Sequence, residues 1–212
     1  MSESENYSAI SFERIVFFSD AVFAIVITLL VLEIKVPHLE HYSEESIQSA
    51  LFHLLPKFLG FAVSFIIVGM LWIEHHRIFQ YIRHYDAGLM WRNLVFLLFV
   101  AFVPFPTALF SEYVGSKTAF ILYTLSFALA AVMKWWVWAH AAGNKEKILP
   151  PEMDDELIKR ISRRSWAVPL GCFVCIALAF FLPISLSVIG FMLIPLFAYL
   201  LYPGKKKVAA DA

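Results

Sequence analysis

Three groups of polar residues interrupt a chain that is otherwise mostly oil. Arg14, Ser19 and Asp20 head the apolar run Arg14-Ile-Val-Phe-Phe-Ser-Asp20-Ala-Val-Phe-Ala-Ile-Val-Ile-Thr-Leu-Leu-Val-Leu-Glu-Ile34; Trp72, His75, His76 and Phe79 close a second run, and Trp91-Arg92-Asn93 opens a third. A carboxylate, a hydroxyl, two imidazoles and an amide can form a hydrogen-bonded cluster, pass protons or hold a cation. Catalysis has little support. Glu74-His75-His76 lacks the four-residue histidine spacing of a helical metalloprotease motif, and no nucleophile elbow, phosphate loop or carboxylate pair occurs. Cys172-x-x-Cys175 lacks a second ligand pair and reads as two small packing residues. No enzyme, structural metal or cofactor is expected.

The elements that must position these residues are membrane helices. The 212 residues are 60% hydrophobic and 16% charged, with a mean hydropathy of +0.73. Soluble domains average roughly 45–50% apolar and about 25% charged. The acidic and basic counts balance, so nothing suggests a nucleic-acid partner. The first residues are polar and acidic and lack the basic start and small-residue cleavage site of a secretory signal, so the first apolar run is expected to stay. Asn6-Tyr7-Ser8 matches a glycosylation acceptor, but the orientation below makes it cytosolic.

About 20 apolar residues cross a hydrocarbon core, and six runs qualify: 15–36, 54–79, 93–110, 119–140, 165–183 and 184–202. With the N-terminus inside, thirteen cations fall on the cytosolic side: Arg14, Arg77, Arg83, Arg92, Lys145, Lys147, Lys159, Arg160, Arg163, Arg164, Lys205, Lys206 and Lys207. Lys35, Lys57 and Lys117 remain outside, and Lys134 is expected to snorkel from the inner end of span four. Excess Lys and Arg inside sets the orientation. The expectation is one all-α domain over 1–212 with both termini cytosolic. A cytosolic loop at 143–164 holds a short surface helix, acids first and bases last as the dipole favours, with Pro150-Pro151 in its first turn.

A carboxylate inside a membrane segment is a functional-site hypothesis by default. Asp20 and Arg14 lie six residues apart, about 120° around a helix, so they do not pair within it. Both need partners elsewhere. Antiparallel spans bring Trp72, His75, His76 and Asn93 to the depth of Ser19 and Asp20, where a shared cluster would satisfy groups that lipid cannot. Beyond Asp20 the run carries two stripes at helical spacing. One is Val22, Ile25, Leu29, Leu32 and Val36; the other is Phe23, Ile27, Leu30 and Ile34. Periodicity alone does not say which faces lipid, protein or pore.

Arg14-x-x-x-Phe18-Ser19-Asp20, Trp72-x-x-His75-His76-x-x-Phe79, and Asn93-Leu-Val-Phe-Leu followed by Phe102-Val-Pro-Phe-Pro106 resemble the transmembrane protein 175 family, the endolysosomal potassium channels of animals and their prokaryotic homologues. The match is dense in the first half; the last three spans agree in hydropathy and number only. With one six-helix repeat, the chain is similar to the prokaryotic form. That likeness implies a homotetramer in a prokaryotic inner membrane, with first helices lining the pore. It places the constriction at Ile25, Leu29 and Leu32, with the Thr28 hydroxyl nearby. It also implies that potassium permeates near Ile25 and Thr28, with sodium, caesium and protons as possible co-permeants, and that there is no small-molecule substrate. Arg14, Phe18, Ser19, Asp20, Trp72, His75, His76 and Asn93 would then brace the pore helix. Rings of apolar side chains can gate by excluding water. The rival readings are an ion-coupled secondary transporter, which expects broken helices and midplane polar groups, and a non-conducting membrane scaffold.

Overall fold

Long apolar runs with few internal charges become helices because a bilayer leaves backbone groups no other partner. The computed structural model describes residues 3–39 and 41–201. Six of its helical segments are long and apolar enough to cross a membrane: Phe12–Glu33, Leu55–Phe79, Ala87–Glu112, Lys117–Gly143, Asp155–Phe181 and Ile184–Leu201. Tyr202, expected to end the last span, and the basic trio Lys205 to Lys207 lie outside the described residues.

The first helix, α1 (Glu3–Leu29), begins far upstream of its apolar run and tightens into a 3-10 turn at Leu30–Glu33. Val36 therefore lies beyond the helix, exposed, and leaves the stripe assigned to it. Helix α2 (Glu44–His53) was not anticipated. Ser43 and Ser46 cap it reciprocally through side chain and backbone, which satisfies amides that a helix start otherwise orphans. It buries no residue and leads into α3 (Leu55–Phe79).

Span three is divided into α4 (Ala87–Phe102) and α5 (Pro104–Glu112). Proline lacks an N–H and crowds the preceding turn, so Pro104 breaks the helix well inside the span. Asp86 caps α4 by accepting from the Leu89 amide at 2.6 Å, and the helix opens six residues before Asn93.

Helix α6 (Lys117–Gly143) is the hub, packed against α4, α5 and α9. Between membrane helices there is no hydrophobic drive of the aqueous kind, and small residues that let backbones approach take its place. Ala119, Ser126, Ala130, Ala131 and Ala141 fill that role, all buried. Lys134 departs from expectation. It does not snorkel but is 2% exposed, enclosed by the neighbouring helices.

After the short α7 (Lys145–Ile148) comes α8 (Asp155–Arg164), with Asp155 and Glu156 in its first turn and Arg163 and Arg164 in its last. Its cap is Asp154, so Pro150 and Pro151 fall in the preceding turn and not in the helix. Helix α9 (Ala167–Phe181) carries Cys172 and Cys175, both free and buried. Span six is not one α-helix but α10 (Ile184–Ser187), a 3-10 segment Val188–Met192 and α11 (Leu193–Leu201). Gly190 lets the 3-10 segment approach α9 closely, because a Cβ there would stand 2.6 Å from the Cys175 sulfur.

Candidate pore helix and its polar anchor

Helix α1 has two unlike faces. Ser19, Phe23, Val26 and Leu30, spaced four, three and four apart, are buried, the pattern of a helix face packed on protein. Phe23 is tilted against His75 (centroids 5.8 Å) and Phe96 (5.9 Å). The opposite face is bare. Ile25 is 57% exposed, Leu29 42% and Leu32 67%, with Thr28 exposed among them. Of the two sequence stripes, the one containing Phe23 and Leu30 packs inward and the one containing Ile25 and Leu29 does not.

Leu32 sits in the 3-10 turn rather than the α-helix. A 3-10 turn advances about 120° per residue in place of about 100°, so Leu32 is offset from the line through Ile25 and Leu29. The Thr28 hydroxyl donates back to the carbonyls of Ala24 (3.0 Å) and Ile25 (2.9 Å). With its proton committed to the backbone, the oxygen lone pairs are what this side chain offers outward.

Behind this helix the polar residues form two links rather than one cluster. In the first, Ser19 donates to the Ile15 carbonyl at 2.9 Å and accepts from Asn93 Nδ2 at 2.9 Å. The amide oxygen of Asn93 then faces His75 Nε2 at 3.0 Å, so that nitrogen carries the proton and donates. Ser19, Asn93 and His75 are all buried, and each hydrogen bond spares a group that would be costly to leave unpaired in lipid. His75 also stacks on Phe96 (5.4 Å) and lies tilted against Phe79 (4.1 Å).

The second link is a single bond, Trp72 Nε1 to Asp20 Oδ1 at 2.8 Å, at the half-exposed edge of the same level. Together the two links tie α1 to α3 and α4. His76 is exposed and lies tilted against Trp72 with centroids 5.7 Å apart, outside the hydrogen-bonded chain. Arg14 and Phe18 also differ from expectation. Both are exposed and line a shallow cavity of about 390 Å³ with Met90, Asn93 and Leu94. Arg14 pairs with none of the cluster among the described residues, because its place on the helix turns it away from Asp20.

Three groups escaped the sequence reading. Ser64, Thr107 and Tyr123 share buried hydroxyl contacts of 3.1 Å; the weak signal was hydroxyl residues recurring within apolar helices. A cavity of about 270 Å³ beside the Glu33 end of the first span is rimmed by Glu33, Lys35, Lys57 and Glu112, with Lys57 and Glu112 paired at 2.6 Å. Glu74 accepts from Arg77 and Arg164, beside Lys134. Among the described residues, no group of His, Cys, Asp and Glu is arranged to hold a metal ion.

Every residue of both links lies in the first three spans. The family profile described as "Endosomal/lysosomal potassium channel TMEM175" matches residues 14–104. A potassium channel of Chamaesiphon minutus is 38% identical over 170 residues, which cover 79% of this chain and 83% of that one. A potassium channel of Streptomyces collinus is 34% identical over 188 residues, covering 84% and 88%. The chain belongs to the TMEM175 family.

A crystal structure of a lysosomal potassium-selective channel TMEM175 homolog from Chamaesiphon minutus superimposes with a TM-score of 0.76 at 35% identity. The alignment covers 90% of this chain and 98% of that one. TMEM175 proteins are channels and not enzymes, and the all-α fold with six membrane-spanning helices agrees with that membership. The profile match also contains the whole of α1 from Arg14 onward, so the bare stripe belongs to the part of the chain most like the family.

Proposed function

We propose that this chain is a potassium channel subunit that conducts passively through a pore built from several copies, with α1 of each copy lining it. The observation that carries the reading is the division of α1. One face is fixed to α4 by a buried hydrogen bond and to α3 by a half-exposed one, while Ile25, Thr28 and Leu29 stay uncovered on the isolated chain. Facing copies would bring these side chains together as aliphatic rings, and such a ring excludes water when closed.

The assembly we favour is a homotetramer with both termini in the cytosol, in the inner membrane of a prokaryotic cell. The thirteen-to-three distribution of Lys and Arg supports that orientation. Potassium is the main permeant ion, with weak to moderate preference over sodium, since Thr28 lone pairs and carbonyl dipoles provide only partial replacement of a hydration shell. Caesium and protons are candidates for co-permeation. Leu32, displaced onto the 3-10 turn, would contribute to the outer funnel more than to the narrowest ring.

Purified protein in liposomes with imposed potassium, sodium and proton gradients tests this. Electrogenic potassium flux without a coupled ion is expected. Flux that demands a second ion would replace the channel with a carrier, and silence would leave a scaffold.

A further inference from the structure

Neither the pore helix nor its anchor explains Lys134. It lies in the C-terminal third of α6, 2% exposed, and makes no hydrogen bond among the described residues. Its side chain lines a cavity of about 580 Å³ between α3, α6, α9 and α11, together with Glu74 and Arg164. Arg164 donates from Nε (3.1 Å) and Nη2 (3.0 Å) to Glu74 Oε1, and Arg77 Nη1 reaches the same oxygen at 3.1 Å. Both arginines lie within electrostatic reach of Lys134. Among the described residues, three cations thus meet one carboxylate around Lys134, a local excess of positive charge at the inner ends of these helices that suits an anion.

The rest of the lining is apolar, with Met70, Leu71, Val168 and Ile194 among it. Ile73 and Tyr199 at the rim are exposed, so the cavity opens on the outside of the chain. Positive charge at one end and an oily wall at the other suit an amphiphile with an anionic head. The volume falls within the roughly 300–1,000 Å³ typical of ligand sites, and basic pockets between membrane helices are known to take anionic headgroups.

We propose that this cavity binds an anionic phospholipid, its phosphate beside Lys134 and Arg164 and an acyl chain along the wall formed by α3, α9 and α11. Glu74 lies between Trp72 and His75 on α3, so an occupant would bear on the same helix that anchors α1. The site is independent of which ion the pore carries.

Native mass spectrometry of the detergent-solubilised protein, with phosphatidylglycerol or phosphatidylcholine added, reads the binding directly. We expect phosphatidylglycerol adducts at least tenfold tighter than phosphatidylcholine adducts. Lys134→Met should abolish that preference, and Ala198→Phe, which fills the cavity with every charge kept, should block binding. Lys117→Met, a cation lost from an exposed position, should bind as the wild type does. Glycerol 3-phosphate without acyl chains should not compete; full competition would make this a free-phosphate site and overturn the lipid assignment. Should the variants fail to fold, photoactivatable phosphatidylglycerol on the wild-type protein gives the answer. Labelling concentrated on α3, α9 and α11 supports the site, whereas labelling spread evenly over all spans, or equal affinity for the two lipids, overturns it.

Discussion

The indole of Trp72 donates to the carboxylate of Asp20 at 2.8 Å, joining α3 to α1 at the level where Asn93 joins α4 to Ser19. Hydrogen bonds to charged groups contribute about 1.5–3 kcal/mol, less here because the pair is half-exposed. Trp72→Phe is expected to lower the thermal stability of the solubilised protein by about 1 kcal/mol. Asp20→Asn, which keeps an acceptor, should lose less. Melting curves that rank the two variants the other way would refute this role for the bond.

Asn93 sits in the middle of the buried chain, so its loss strands two partners. Asn93→Leu removes the acceptor of His75 and the donor of Ser19 together. Each unsatisfied buried group costs about 1–3 kcal/mol, and the variant should be less stable than Trp72→Phe by a clear margin in the same melts.

Polar substitution on the two faces of α1 should have opposite outcomes. Ile25→Asn and Leu29→Asn lie on the bare face and should raise resting potassium flux severalfold in liposomes with little loss of stability. Phe23→Ala lies on the packed face beside His75 and Phe96. It should cost about 3–5 kcal/mol and leave the flux per folded molecule unchanged. Unchanged flux in both asparagine variants would remove α1 from the pore wall.

Asp86 offers a pH test outside the spans. Burial opposes its charge, but the Leu89 amide and the His140 ring outweigh that and hold the carboxyl below its ordinary value of 3.8. A depressed carboxylate stabilises the folded state above its unfolded pKa, and the contribution fades as pH falls through the folded value. Asp86→Ala should therefore cost about 1 kcal/mol near neutral pH, and the gap to wild type should close below about pH 4. A gap independent of pH would mean that the cap, not the charge, accounts for it.

Gly190 tests the broken last span. A methyl there meets the Cys175 sulfur at 2.6 Å and the Cys175 backbone at 3.1 Å. Gly190→Ala should destabilise by about 1–3 kcal/mol, read as a lower melting temperature, while Gly69→Ala, with open space around it, should not.

What the sequence revealed and concealed follows from the range of each signal. Six spans were legible because twenty apolar residues in a row have few other uses, and the shared depth of Ser19, Trp72, His75 and Asn93 followed from antiparallel helices. Within that level, the partners were not legible. Which way Arg14 and Phe18 turn, and that Asn93 rather than Asp20 meets His75, depends on the packing of α4 against α1. Helix α2 hid because its ten residues are far short of a span and none of them is buried. Lys134 was misread since a lysine near a span end normally snorkels; only the fold brings Glu74 and Arg164 around it. The approach of Gly190 to Cys175 in the divided sixth span is a contact between helices that no local pattern encodes.

The division of the third span at Pro104 has a mechanical side. Its first half, α4, holds the Ser19 end of α1, and its second half, α5, bears on the Leu30–Glu33 turn at the other end. One straight rod would transmit any push from end to end. A jointed one gives the two ends of α1 separate footings, one on each half of the span, with Ile25 and Leu29 suspended between them like the middle of a beam.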